Sequence, residues 1–168
     1  MYGFSWGKNL LKFDINSEKD RQKVAFCGSL TEESAQSLKP LLSHAGENFI
    51  FNFKGIDYVN SQGVKNWINF LRAFEVGRNI VFEECPVYIV VQINMIKRFK
   101  GSAVINSFFS DFNCESCDHE QSVRFDARQG YEKLVEEAEA VRCERCNSGM
   151  ELEGSIDFYF DFLKPKQM

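Results

Sequence analysis

Six cysteines are present among the 168 residues, and four of them form two pairs of identical spacing. Cys114-Glu-Ser-Cys117 and Cys143-Glu-Arg-Cys146 are CxxC units separated by 25 residues. Two residues between cysteines allow a tight turn to aim both thiolates at one ion. Two such turns facing each other complete a tetrahedron of soft ligands about 2.3 Å from a zinc ion. Four sulfurs close the coordination sphere, so the pattern predicts structural Zn2+, with no open position for water or substrate. The interval is longer than the ~15–20 residues usual in such sites. A short helix over Tyr131 to Ala140, after a strand over Ser122 to Asp126, takes up the excess, and Gly130 and Gly149 give the loops backbone freedom. Disulfides are the alternative, and a reducing compartment favours the metal. His119, two residues past Cys117, reads as a surface residue, and Cys27 and Cys85 as thiols packed like small hydrophobes.

A second position with chemical potential is Ser61, in Asn60-Ser61-Gln62-Gly63. It stands at the expected start of a helix, where backbone N–H groups lack partners and the dipole is positive. A phosphate added there would be well received and would bring a charge of about −1.5 to −2. An ordinary N-cap would call for the same serine, and Ser61 is expected to cap the helix starting near Gln62 while lying exposed, with the switch role open beside it.

Several elements have to position these groups. Asn9 to Ile15 and Lys23 to Gly28 read as strands joined by the polar stretch Asn16 to Gln22. Thr31, followed by Glu32 and Glu33, marks a helix start running to about Ser43, with Ala35, Leu38, Leu41 and Leu42 inward and Pro40 as a kink or break. Asn48 to Phe53 alternates Phe49, Phe51 and Phe53 as a buried strand does, and Lys54 to Asn60 reads as a loop. Val64, Trp67, Ile68, Leu71 and Ala73 or Phe74 share one face of the next helix, which Gly77 stops. A strand over Asn79 to Phe82, a helix from Pro86 and Val87 to about Phe99, and a strand over Ser102 to Phe109 complete the series. Strands alternating with helices imply an α/β fold with a mixed sheet of about four or five strands and packed helices. The composition changes after Phe109. The expected organisation is therefore 1–109 as the α/β domain, 110–153 as a small zinc ribbon, and 154–168 as an aromatic segment packing back on the core.

The stretch Phe51-Asn52-Phe53-Lys54-Gly55-Ile56-Asp57-Tyr58-Val59-Asn60-Ser61-Gln62-Gly63 resembles the signature of STAS domains, the fold of anti-anti-sigma factors. In that family a strand leads through a short loop to a Ser or Thr that opens a helix, with Gly two residues later. The resemblance covers residues 8 to about 108 and includes Gly28 at the end of the second strand. It implies a STAS-like sheet, with Ser61 at the position of the family's phosphorylated residue. It also implies a partner-facing loop of Asp57, Tyr58, Asn60, Ser61 and Gly63. The implied partner is a kinase-like anti-sigma factor or another signalling protein. The chain departs from the family in having Asn60 and Asn52 where Asp is common.

Composition narrows the function classes. Hydrophobic residues at 44%, charged residues at 26% and a formal net charge of −4 describe an ordinary globular chain without a basic stripe for nucleic acid. The competing reading, a zinc-ribbon adaptor that binds nucleic acid, is disfavoured on that ground; the one basic cluster is Lys97, Arg98 and Lys100. No triad, phosphate loop or dinucleotide fingerprint is present, which points to a non-enzymatic regulatory protein. Met1 to Lys8 lacks the pattern of a secretory leader, and the apolar stretch around Val87 to Val91 is too short to span a bilayer. A cytoplasmic protein without a membrane role is the expectation.

Overall fold

The computed structural model describes residues 9–164. The reading of Met1 to Lys8 and the last four residues of the aromatic segment lie outside that range. A five-stranded mixed sheet runs in the order β1-β2-β3-β4-β5, with β1 (Lys12–Glu18), β2 (Arg21–Leu30), β3 (Asn48–Val59), β4 (Asn79–Glu83) and β5 (Val104–Ile105). The first pair is antiparallel and the other three are parallel. The parallel connections carry α1 (Ser34–Leu42), α2 (Ser61–Phe74) and α3 (Val87–Met95). This is the mixed α/β architecture expected from the alternation of elements.

A second sheet has three strands in the order β7-β6-β8: β6 (Ser107–Cys114), β7 (His119–Asp126) and β8 (Glu151–Leu152). In the chain, α4 (Tyr131–Glu139) comes between β7 and β8, and α5 (Ile156–Tyr159) follows β8. The boundary expected near Ser110 falls inside β6. That strand is one continuous element, tied to the main sheet by a bridge between Cys85 and Phe108.

Apolar alternation in the sheet meets the apolar stripe of α2, and this builds the core. Phe49, Phe51 and Phe53 of β3 are buried against Trp67, Phe70 and Phe74. Trp67 is fully buried and donates its indole N–H to the Phe99 carbonyl at 2.8 Å, satisfying its one polar atom. Aromatic residues hold the second sheet as well. Phe108 packs against Phe125, Phe160 and Phe162, and the Tyr159 hydroxyl donates to the Phe109 carbonyl at 2.6 Å. Burial pushes the Tyr159 phenol above its usual range. Asn94 of α3 donates to the carbonyls of Phe158 and Tyr159 and accepts from Phe162 N–H, which fastens the aromatic segment to α3.

Several boundaries differ from the sequence reading, each for a physical reason. The polar stretch Asn16 to Gln22 is mostly strand, because an edge hairpin needs no apolar alternation; its turn places Lys19 at φ 55°. Helix α1 begins at Ser34. Thr31 is buried and does not cap it, since its hydroxyl donates to Glu33 and its N–H is taken by Ser34 Oγ. Leu42 and Ala35 are exposed, and Pro40 is accommodated inside the helix. The expected loop after Phe53 is strand, because β3 continues to pair with β2 across register shifts as far as Val59. Helix α3 stops at Met95, and a turn through residues 96–101 leads to Phe99, which fills the space over Trp67.

Candidate functional site

Two separate groupings emerge, one at the start of α2 and one at the end of the second sheet. Helix α2 packs its first turn directly on the chain where β2 ends. A side-chain carbon at position 63 would overlap the Leu30 carbonyl and lie 2.5 Å from Thr31 N. The glycine two residues after Ser61 is therefore a steric requirement, since only a residue without Cβ permits this approach. Hydrogen bonds fix the same junction. Asn60 N–H donates to the Leu30 carbonyl at 3.0 Å, and Asn66 Nδ2 donates to the carbonyls of Thr31 and Glu32 at 3.2 and 3.0 Å.

The capping role belongs to Asn60. Its side-chain oxygen accepts from Gly63 N–H at 2.8 Å, and its carbonyl accepts from Val64 N–H at 2.9 Å. Asn60 Nδ2 donates in turn to Glu32 at 2.9 Å. Ser61 is the first residue inside the helix and is exposed. The expectation that Ser61 itself caps the helix is thus corrected. Asn suits this position because a neutral amide can serve the helix N–H and the Glu32 carboxylate together, which an Asp could not.

Asp57 and Tyr58 are exposed at the end of strand β3 ahead of Ser61. The Asp57 carboxylate accepts from Ser29 Oγ at 2.7 Å and from Asn9 Nδ2 at 2.9 Å, drawing the chain before β1 onto the same edge. The residues singled out in the sequence (Asp57, Tyr58, Asn60, Ser61 and Gly63) thus lie at one junction, where β3 ends and α2 begins, rather than in a loop. Ser29, Glu32 and Asn66 were not singled out. Their side chains arrive from other elements, and no local pattern announces them.

The second grouping contains Cys114, Cys117, Cys143 and Cys146. Their sulfurs all lie within 4.8 Å of one another. Two close pairs cross between the two turns, Cys114 to Cys146 at 3.5 Å and Cys117 to Cys143 at 3.6 Å. A tetrahedron of sulfurs at ~2.3 Å from a central zinc has edges of about 3.8 Å, so the donor set and its spacing fit that ion. The two turns are alike in backbone as well. Asp118 N–H donates to the Cys114 carbonyl at 2.8 Å, and Asn147 N–H to the Cys143 carbonyl at 2.8 Å. Both residues take the left-handed conformation, at φ 53° and 62°. Asp and Asn tolerate that region better than other side chains. The turns therefore use Asp118 and Asn147, rather than Gly149, for their reversal; the repeated Cys-Glu-x-Cys-Asp/Asn pattern was the signal for it.

Electrostatics explains what an ion would add. In the bare cluster the thiols interact strongly. Hydrogen bonds from Ser148, in side chain and backbone, hold Cys146 down to about 6, whereas desolvation and the neighbouring thiols push Cys117 up to about 12. Four thiolates this close repel one another, and a divalent cation removes that penalty. His119 is not a fifth candidate; its Nε2 is engaged with Glu144 at 2.9 Å. Cys85 is buried, and desolvation raises its thiol well above the usual range, so it is inert packing. Cys27, expected to be packed, is exposed.

No family model and no curated protein matches the chain. Among solved structures it is similar to the anti-sigma factor antagonist SpoIIAA in its unphosphorylated form, at 15% identity and a TM-score of 0.42, over 55% of this chain and 86% of that one. It is also similar to an anti-sigma factor antagonist from Mycobacterium paratuberculosis, at 11% identity and a TM-score of 0.35, over 44% of this chain and 68% of that one. Likenesses of this size fix neither family nor function. Among the described residues, no helix is long and apolar enough to cross a membrane.

Proposed function

We propose that the chain is a non-enzymatic regulatory protein that acts by protein–protein contact in the manner of anti-anti-sigma factors. Ser61 is its phosphate-accepting switch, and a structural zinc ion is held by Cys114, Cys117, Cys143 and Cys146. The observation that carries the reading is the exposure of Ser61 at the first position of α2, with Asn60 rather than Ser61 performing the cap. A hydroxyl relieved of a structural role can be modified without dismantling the helix. Phosphate there gains from the helix dipole and the unpaired N–H groups of the first turn. It also adds negative charge to an exposed surface, so the main consequence falls on a partner approaching this face.

The partner class is a kinase-like anti-sigma factor or another signalling protein, met in the cytoplasm, where thiolates stay reduced and free to hold metal. Zinc, when bound, supplies folding free energy to a segment that otherwise has a small core. Cys114 and Cys117 hold it from the end of β6, and Cys143 and Cys146 from the loop after α4.

Affinity capture from the native cells with wild type, Ser61→Ala and Ser61→Asp tests the proposal. Wild type and Ser61→Ala should retain the same signalling protein, and Ser61→Asp should lose it. Equal capture by all three variants would reduce Ser61 to an ordinary surface residue.

A further inference from the structure

A cleft of about 600 Å³ opens between the main sheet and the three-stranded sheet. That volume lies within the usual range for small-molecule sites, ~300–1,000 Å³. Lys54 of β3, Pro86 and Tyr88 at the start of α3, and Phe109, Asp111, Glu153 and Tyr159 are among the residues that line it. The strand register orders these groups. β3 pairs with β4, and Cys85 just past β4 bridges Phe108 of β6, so Phe109 follows on the far side of β4 from Lys54. Asp111 is two residues further along the same face of β6, and Glu153 N–H donates to its carbonyl at 2.8 Å. The cleft is thus cationic at one end, aromatic in the middle and doubly acidic at the other end.

The charges in this cleft differ from those around it. Glu84 pairs with Arg124, Asp126 with Arg128, and Asp157 with Lys164. Among the described residues, no hydrogen bond or ion pair engages the side chains of Lys54, Asp111 or Glu153. The wall between them is already fixed, since the Tyr159 hydroxyl is committed to the Phe109 carbonyl. A preformed apolar floor with unpaired opposite charges at its two ends orients a ligand that carries both charges.

We propose that this cleft binds a small zwitterion of dipeptide size, with its ammonium at Asp111 and Glu153 and its carboxylate at Lys54. Two strand spacings across and three residues along β6 separate Lys54 from Asp111, ~14 Å between their backbones. An extended dipeptide spans ~7 Å, and the lysine stem covers the remainder. The second carboxylate gives the ammonium end the stronger hold.

Calorimetric titration of the full chain with leucylphenylalanine, its N-acetyl form and its C-terminal amide tests the assignment. The free dipeptide should bind saturably, the C-terminal amide about tenfold more weakly, the scale of one lost charge-assisted bond, and the N-acetyl form more weakly still. Asp111→Asn with Glu153→Gln should erase the penalty for acetylation alone, and Lys54→Met the penalty for amidation alone. Unchanged thermal melts would show that these variants remain folded, as expected of side chains without internal partners. Absence of saturable binding at millimolar dipeptide would overturn the proposal. So would binding indifferent to the blocking groups or to the substitutions.

Discussion

Gly63→Ala is the substitution whose effect can be worked most directly from the structure. In an exposed helix interior this change stabilises by about 1 kcal/mol, because alanine is the better helix former. Here the added methyl overlaps the Leu30 carbonyl and stands 2.5 Å from Thr31 N, and both neighbours are backbone that cannot rotate away. The first turn of α2 must lift by about 1 Å, a forced insertion of the kind that costs roughly 1–3 kcal/mol. The lift also lengthens the bonds from Asn60 N–H to Leu30 and from Asn66 to Thr31 and Glu32. Three such bonds contribute about 1 kcal/mol each. The net expectation is destabilisation of about 3–5 kcal/mol, a large share of the stability of a domain this size. Equilibrium urea unfolding followed by tryptophan fluorescence reads it, since Trp67 sits one turn further along the same helix. A variant as stable as wild type, or more stable, would refute the steric account of the Ser-x-Gly motif.

Other consequences follow from particular bonds. Asn60→Ala should cost about 1 kcal/mol in the same unfolding assay as a lost cap, whereas Ser61→Ala should stay within about 0.5 kcal/mol; the reverse order would return the cap to Ser61. Elemental analysis of protein purified without added metal should find one zinc per chain, and Cys143→Ser should lose it while β1 to β4 remain folded. Metal-free wild-type protein with an ordered second sheet would contradict the assignment. Hydrogen bonds from Arg128, with a smaller effect of its charge, hold the Asp126 carboxyl down to about 2, below its unfolded value near 4. Its contribution is therefore present above about pH 4 and lost as pH falls through about 2. Asp126→Asn should lower stability near neutrality and converge with wild type at that acidic limit; a gap independent of pH would contradict this.

The sequence revealed features whose causes are local. The alternation of Phe49, Phe51 and Phe53 and the stripe of Val64, Trp67 and Leu71 identified a buried strand and its helix, because periodicity is written by burial on one face. The CxxC pairs gave the cysteine cluster, because the turn that gathers two sulfurs needs only the residues between and just after them. Features that depend on distant partners were not legible. Strand β3 extends through Lys54 and Gly55 because β2 lies beside it, and nothing in those residues favours a strand. Thr31 looked like a cap, but Ser34 and Glu33 claim its polar atoms. Ser61 looked like a cap until the neutral Asn60 proved able to serve both Gly63 and Glu32. The continuity of β6 past Ser110 comes from its pairing with β7, while composition changes sharply at that point.

The switch at Ser61 is the centre of the account, and peptide mapping by mass spectrometry of the protein isolated from its native cells tests it most directly. A population heavier by one phosphate is expected, with the modification located on Ser61 and depleted in the fraction that co-purifies with the signalling partner. Complete coverage of the peptide spanning Lys54 to Lys65, unmodified in growing and in stressed cells alike, would contradict it.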